Sequence, residues 1–145
     1  MGTLDTSITQ ERENQELVRR FMLEAFGGGD ITLVDEMVSP DFIQHQPGMQ
    51  SGDREGVKRL IGYLHQALPD LTYTFEDMIA SGDQVWARVH AHGTHLGTFM
   101  GVAPTGRAIT VELIEINRFK DGKMVEHWGI TDRHATMEQL GKGRE

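Results

Sequence analysis

The spacing of apolar residues along this chain changes once, near Pro69, and does not change back. Before that point apolar residues recur at the helical interval of about 3.6 residues: Leu17, Val18, Phe21, Met22, Ala25 and Phe26, then Leu33, Val34, Met37 and Val38, then Val57, Leu60, Ile61, Leu64 and Leu68. From Leu71 onward the interval is two, the period of strands. The spacing predicts a helix over 10–26, capped by Ser7 or Thr9 and ended by Gly27-Gly28-Gly29, and a short second helix capped by Asp30 and stopped by Ser39-Pro40. A strand over 41–46 follows. Pro47-Gly48 then turns the chain into a helix capped near Asp53 and closed by Pro69. Strands are expected over 71–80, 84–95, 108–119 and 124–132, with turns at Ser81-Gly82-Asp83 and Asp121-Gly122. The connection between the middle pair is rich in glycine, at Gly97, Gly101 and Gly106. Met137 and Leu140 suggest a last short helix over 133–140. Helices first and strands afterwards predict an α+β domain, with helices packed on the concave face of a curved antiparallel sheet around a cavity.

Composition narrows the function. The 145 residues suit one domain, with a core expected over about 10–141. Fourteen Lys and Arg against twenty-two Asp and Glu leave a net charge of −8, and the basic residues do not cluster, so no nucleic-acid partner is expected. No run approaches the roughly 20 apolar residues of a membrane span. Cysteine is absent, and Met1 to Asp5 lack the basic and apolar regions of a signal peptide, which makes the cytoplasm the expected location. The triple glycine fits no phosphate-loop spacing.

Chemistry could come from two strands. Alternation puts Trp86, Arg88, His90, His92 and Thr94 on one face of the strand 84–95, either a solvated face or a pocket wall. On the last strand Glu126, Trp128, Ile130 and Asp132 share a face, opposite His127, Gly129 and Thr131. A carboxylate at the end of such a strand is a candidate general acid or base, and equally a candidate cap for the helix that follows. Seven histidines raise the possibility of a metal, but no metal-ligand motif surrounds His90, His92 or His45, and no metal is expected. His95 and His127 read as surface or turn residues, and His65 as an exposed helix residue. No serine lies in a nucleophile-elbow context.

The order Phe42-Ile43-Gln44-His45-Gln46-Pro47-Gly48, Gly52-Asp53-Arg54-Glu55-Gly56-Val57, the stretch Gly93 to Gly106, and Phe119 to Trp128 closed by Asp132, resembles the SnoaL-like polyketide cyclases from about Glu16 to Leu140. The resemblance implies the cone-shaped nuclear-transport-factor-2-like fold, an apolar cavity, a homodimer through the sheet, and no metal or organic cofactor. It also implies that Asp132 is the acid/base of an intramolecular aldol ring closure on a small hydrophobic oxygenated ligand. His45, His90 and Asn117 are then candidate donors to the enolate oxygen, with His45 and His90 placed in the catalytic set. Arg88, Trp86, Trp128, Asn117 and Phe99 are candidate substrate contacts.

The chain also resembles the limonene-epoxide hydrolases in the order of Arg88 and Asp132, although His90 stands where that group carries a second Asp. Ketosteroid isomerases share the fold, but this chain shows no tyrosine paired with a second buried carboxylic acid. Three readings result: a cyclase or isomerase, an epoxide or lactone hydrolase, and a binding protein that uses the cavity without chemistry.

Overall fold

The computed structural model describes residues 2–46 and 52–141, with side chains from residue 7 onward. The turn expected at Pro47-Gly48 lies outside the described residues. Helix α1 spans Gly2–Arg20 and widens without a break into a π-helical segment, Phe21–Phe26, closed by the bond from Gly27 N–H to Met22 O at 2.8 Å. This widening turns Phe21, Met22 and Ala25 together toward the interior, where all three are buried. Gly29, at φ +74°, is the left-handed residue that lets the chain leave. The Asp30 carboxylate then accepts the Thr32 N–H at 3.1 Å and starts α2, Thr32–Met37.

Strand β1, Val38–Gln44, begins directly after α2, so Ser39-Pro40 ends the helix but already belongs to the strand. Proline is tolerated there because β1 is an edge strand, paired only with β5. Helix α3, Arg54–Ala67, is capped by Asp53, which accepts the Gly56 N–H at 2.9 Å. Its buried stripe includes Val57 and Ile61.

Strands β2 (Thr72–Ser81), β3 (Gln84–Thr94), β4 (Ala108–Lys120) and β5 (Lys123–Thr131) form an antiparallel meander, and α4 (Arg133–Gln139) closes the chain. Asp121 and Gly122 both adopt positive φ, 53° and 75°, as the tight β4–β5 hairpin requires. The sheet order is β1-β5-β4-β3-β2, with β1 parallel to β5. The sheet is therefore mixed rather than wholly antiparallel. The reason is topological: α3 and three strands intervene between β1 and β5, a crossover long enough to return the chain in the same direction.

Between Arg118 and Phe119 the β4–β5 register shifts, so Met124 opposite Phe119 and His127 opposite Asn117 both face inward despite their odd spacing. The inner face of the sheet carries Val85, Val89, Ala91, Ile109 and Val111 against Val18, Phe21, Val34 and Ile61 of the helices. Its outer face leaves Ile79, Trp86, Ile114 and Ile130 exposed.

The loop from His95 to Arg107 folds back on α3: the Leu96 and Gly97 N–H groups both donate to Ala67 O at 3.0 Å. A Cβ on Gly97 would lie 2.2 Å from Gln66 O, so only glycine permits this approach. Inside the loop, His95 is fully buried. Its Nδ1 accepts the Thr105 N–H at 3.1 Å, which leaves the proton on Nε2, 3.2 Å from Val102 O.

Candidate active site

Between the helices and the concave face of the sheet lies a cavity of about 500 Å³. Its walls are mostly apolar: Phe21, Met22 and Phe26 come from the π-helical segment, Leu60 and Leu64 from α3, and Phe99 and Met100 from the loop. The only exposed residues lining it, among those described, are Arg59, Tyr63 and Arg133, which mark its mouth. Tyr63 ties the loop down, its hydroxyl accepting the Met100 N–H at 2.8 Å.

The polar end is built from β1, β4 and β5. Glu115 and Asn117, two residues apart on β4, face inward and are 7% and 5% exposed. On β5, across the sheet, His127 points into the same space and its Nε2 meets Glu115 Oε2. His127 Nδ1 meets Gln44 Oε1, which also accepts the Gln46 N–H at 3.1 Å. An oxygen that accepts a backbone N–H is a lone-pair site, so Nδ1 carries the hydrogen and Nε2 shares its proton with the Glu115 carboxylate. Gly129 makes room for this contact: a Cβ there would lie 2.7 Å from Gln46 Oε1, 2.8 Å from His127 Cε1 and 3.1 Å from Glu115 Oε2.

The Tyr73 hydroxyl also faces the cavity. Burial first, and the Glu115 charge second, push its titration well above the usual tyrosine range, so it remains a proton donor. Neither Tyr73 nor Asn117 has a side-chain hydrogen-bond partner among the described residues. A polar end with a paired carboxylate, a histidine and two open donors can move a proton and hold a developing oxyanion.

Most residues expected in the site are elsewhere. Asp132 is exposed and caps α4, its Oδ1 accepting the Ala135 N–H at 3.0 Å; although its neighbours Thr131 and Arg133 line the cavity, it does not. His90 lies on the outer face, its Nδ1 3.0 Å from Glu76 and its Nε2 3.7 Å from Glu112. Arg88 is beside it, 2.8 Å from Asp77, and Trp86 is 45% exposed. The Arg–Asp arrangement of an epoxide hydrolase is thus outside the cavity.

His45 stacks on Trp128 with ring centroids 4.8 Å apart, and its Nε2 lies 2.8 Å from Glu126, again outside the cavity lining. Arg118, and after it His45, holds the Glu126 carboxyl below its usual range. The outward placement of Trp86, Arg88 and His90 has one physical reason. Strand parity separates two faces but does not say which one the helices cover, and the face richer in titratable groups is the solvated one.

Asn117 and Phe99 do line the cavity, as expected. Glu115, His127, Gln44, Gln46 and Tyr73 went unassigned, and His127 and His95 are interior rather than surface residues. No signal within β4 could have found them, since the opposite set Glu112, Ile114 and Ile116 is as apolar as Val111, Leu113, Glu115 and Asn117. Among the described residues no group of three His, Asp or Glu side chains converges as metal ligands, and no helix is long and apolar enough to cross a membrane.

A five-stranded curved sheet wrapped around a helix-roofed apolar cavity with a polar inner end defines the nuclear-transport-factor-2-like fold. Residues 16–140 match the SnoaL-like polyketide cyclase family model, and the chain belongs to that family. It is 42% identical over 131 residues to aklanonic acid methyl ester cyclase AcmA of Streptomyces galilaeus, covering 86% of this chain and 88% of that one. Identity to nogalonic acid methyl ester cyclase of Streptomyces nogalater is 30% over 124 residues, covering 83% and 92%. The crystal structure of IdmH from Streptomyces antibioticus superposes with a TM-score of 0.77 at 36% identity, over 88% of this chain and 97% of that one.

Proposed function

We propose that this chain is a polyketide ester cyclase that closes a ring by intramolecular aldol addition, with the Glu115–His127 pair as acid and base. The observation that carries the reading is a buried carboxylate–imidazole pair at the polar end of an otherwise apolar cavity of about 500 Å³, a volume suited to a multi-ring organic substrate. The relatives named as methyl ester cyclases support the same chemistry.

The pair removes the proton from the carbon beside the ester carbonyl. Asn117 and Tyr73 donate to the enolate oxygen, the enolate carbon bonds to a ketone carbon of the same molecule, and the ketone oxygen takes the proton back. Substrate and product are isomers. Gln44 acts through His127, holding its Nδ1–H and so directing Nε2 to Glu115.

Replacing Glu115 by Gln or His127 by Ala is expected to lower turnover of a polyketide methyl ester by about a hundredfold or more with the fold retained. The helix-cap variant Asp132→Ala keeps activity and loses about 1 kcal/mol of stability. Full activity in Glu115→Gln rejects this assignment. Uptake of labelled oxygen from water identifies a hydrolase instead, and tight ligand binding without turnover identifies a binding protein.

The outer face of the sheet is the surface we assign to self-association. Ile79, Trp86, Ile114 and Ile130 are its exposed apolar residues, at 65%, 45%, 41% and 71%, an unusual concentration on a solvated sheet.

A further inference from the structure

We propose that the ligand of this cavity carries a free carboxylate, which Arg59 and Arg133 hold at the mouth while the apolar body extends inward to Glu115 and His127. This deepens the cyclase reading and rests on it for the orientation of the reacting end. Arg59, Tyr63 and Arg133 are the only exposed residues lining the cavity among those described, and two of the three are cations.

Neither arginine has an ion-pair or hydrogen-bond partner among the described residues. Five of the ten arginines are held in ion pairs: Arg19 with Glu16, Arg20 with Glu24 and Glu36, Arg54 with Asp35, Arg88 with Asp77 and Glu112, and Arg118 with Asp83 and Glu126.

Among the described residues the only acid lining the cavity is Glu115, and it is engaged by His127. In a chain of net charge −8, two unneutralised guanidinium groups at the mouth of a low-dielectric chamber attract an anion locally, against the overall field. Guanidinium forks match a planar carboxylate with two parallel hydrogen bonds, and the neutral methyl ester of the same acid offers no charge to complement them.

The test is calorimetric titration with 2-naphthoic acid, methyl 2-naphthoate and 2-naphthyl phosphate near neutral pH. The acid is expected to bind about tenfold or more tighter than the ester. The double substitution Arg59→Gln/Arg133→Gln is expected to erase that preference and leave ester affinity within about twofold. Rising salt should narrow the gap in the parent protein.

Absence of discrimination between acid and ester, whether both bind alike or neither binds, overturns the inference. So does an acid preference that survives in the double variant, or tighter binding of the phosphate. Each of these outcomes leaves Glu115-dependent turnover untouched, so failure here is distinct from failure of the cyclase reading. Loss of turnover in the arginine variants with equal acid and ester binding assigns the arginines to the reacting oxygen instead, and also overturns it.

Discussion

At the scale of single residues the site depends on a missing side chain. Gly129 sits where a Cβ would strike Gln46, His127 and Glu115 at 3.1 Å or less. The Gly129→Ala variant is therefore expected to push His127 off Glu115 and to lower turnover about tenfold or more, while the melting temperature falls by only a few degrees. Steady-state kinetics beside thermal unfolding measures both, and unchanged kinetics would show that the contact is dispensable.

What could be read from the sequence at this scale was uneven. Asn117 and Phe99, expected as substrate contacts, line the cavity. Glu115 and His127 were not legible, because a buried acid on one strand and a histidine on the next are brought together by register, which a single sequence leaves open. Asp132 was ambiguous for the opposite reason: one residue type serves equally as helix cap and as general base, and here its carboxylate stands just before α4 and accepts the Ala135 N–H.

At the scale of elements, the loop His95 to Arg107 covers the cavity as a lid, tied to α3 through Ala67 and Tyr63 and braced from within by one imidazole. His95 binds Thr105 on one ring nitrogen and Val102 on the other, so it joins the two sides of the loop from inside. His95→Ala leaves a buried gap and frees the Thr105 N–H, at an expected loss of about 2–4 kcal/mol. Faster proteolytic cleavage within 97–106 should accompany that loss, since Phe99 and Met100 would no longer be held over the cavity. Equal cleavage rates in the variant and the parent protein would contradict the lid description.

The helices and strands themselves were mostly legible from periodicity, because each amphipathic stripe is local. The β4–β5 register shift was not. It arises where Val125 is accommodated between paired neighbours, and that accommodation places Met124 and His127 on one side. The parallel joining of β1 to β5 was equally hidden, since nothing within β1 itself specifies a distant partner.

At the scale of the whole molecule, the chain has two sheet faces with different fates. The concave face meets the helices, and the convex face mixes Trp86, Ile79, Ile114 and Ile130 with the charged Arg88, Asp77, His90 and Glu112. If the convex face is a self-association surface, Ile130→Lys should shift sedimentation from dimer to monomer at micromolar concentration while the cavity still binds its ligand. A monomeric parent protein would refute that assignment.

The α+β layering was readable from the order of helical and strand periods, whereas the choice of covered face required the packed structure. The π-helical segment carries a consequence for how such chambers diversify. It holds one residue more per turn than an ordinary helix, and Phe21, Met22 and Phe26 of the chamber wall all come from it. Deleting a single residue there would restore regular winding and swing that whole aromatic wall about the helix axis. The size and outline of the chamber can thus be rewritten by a change of one codon, on an element other than the strands that carry Glu115 and His127.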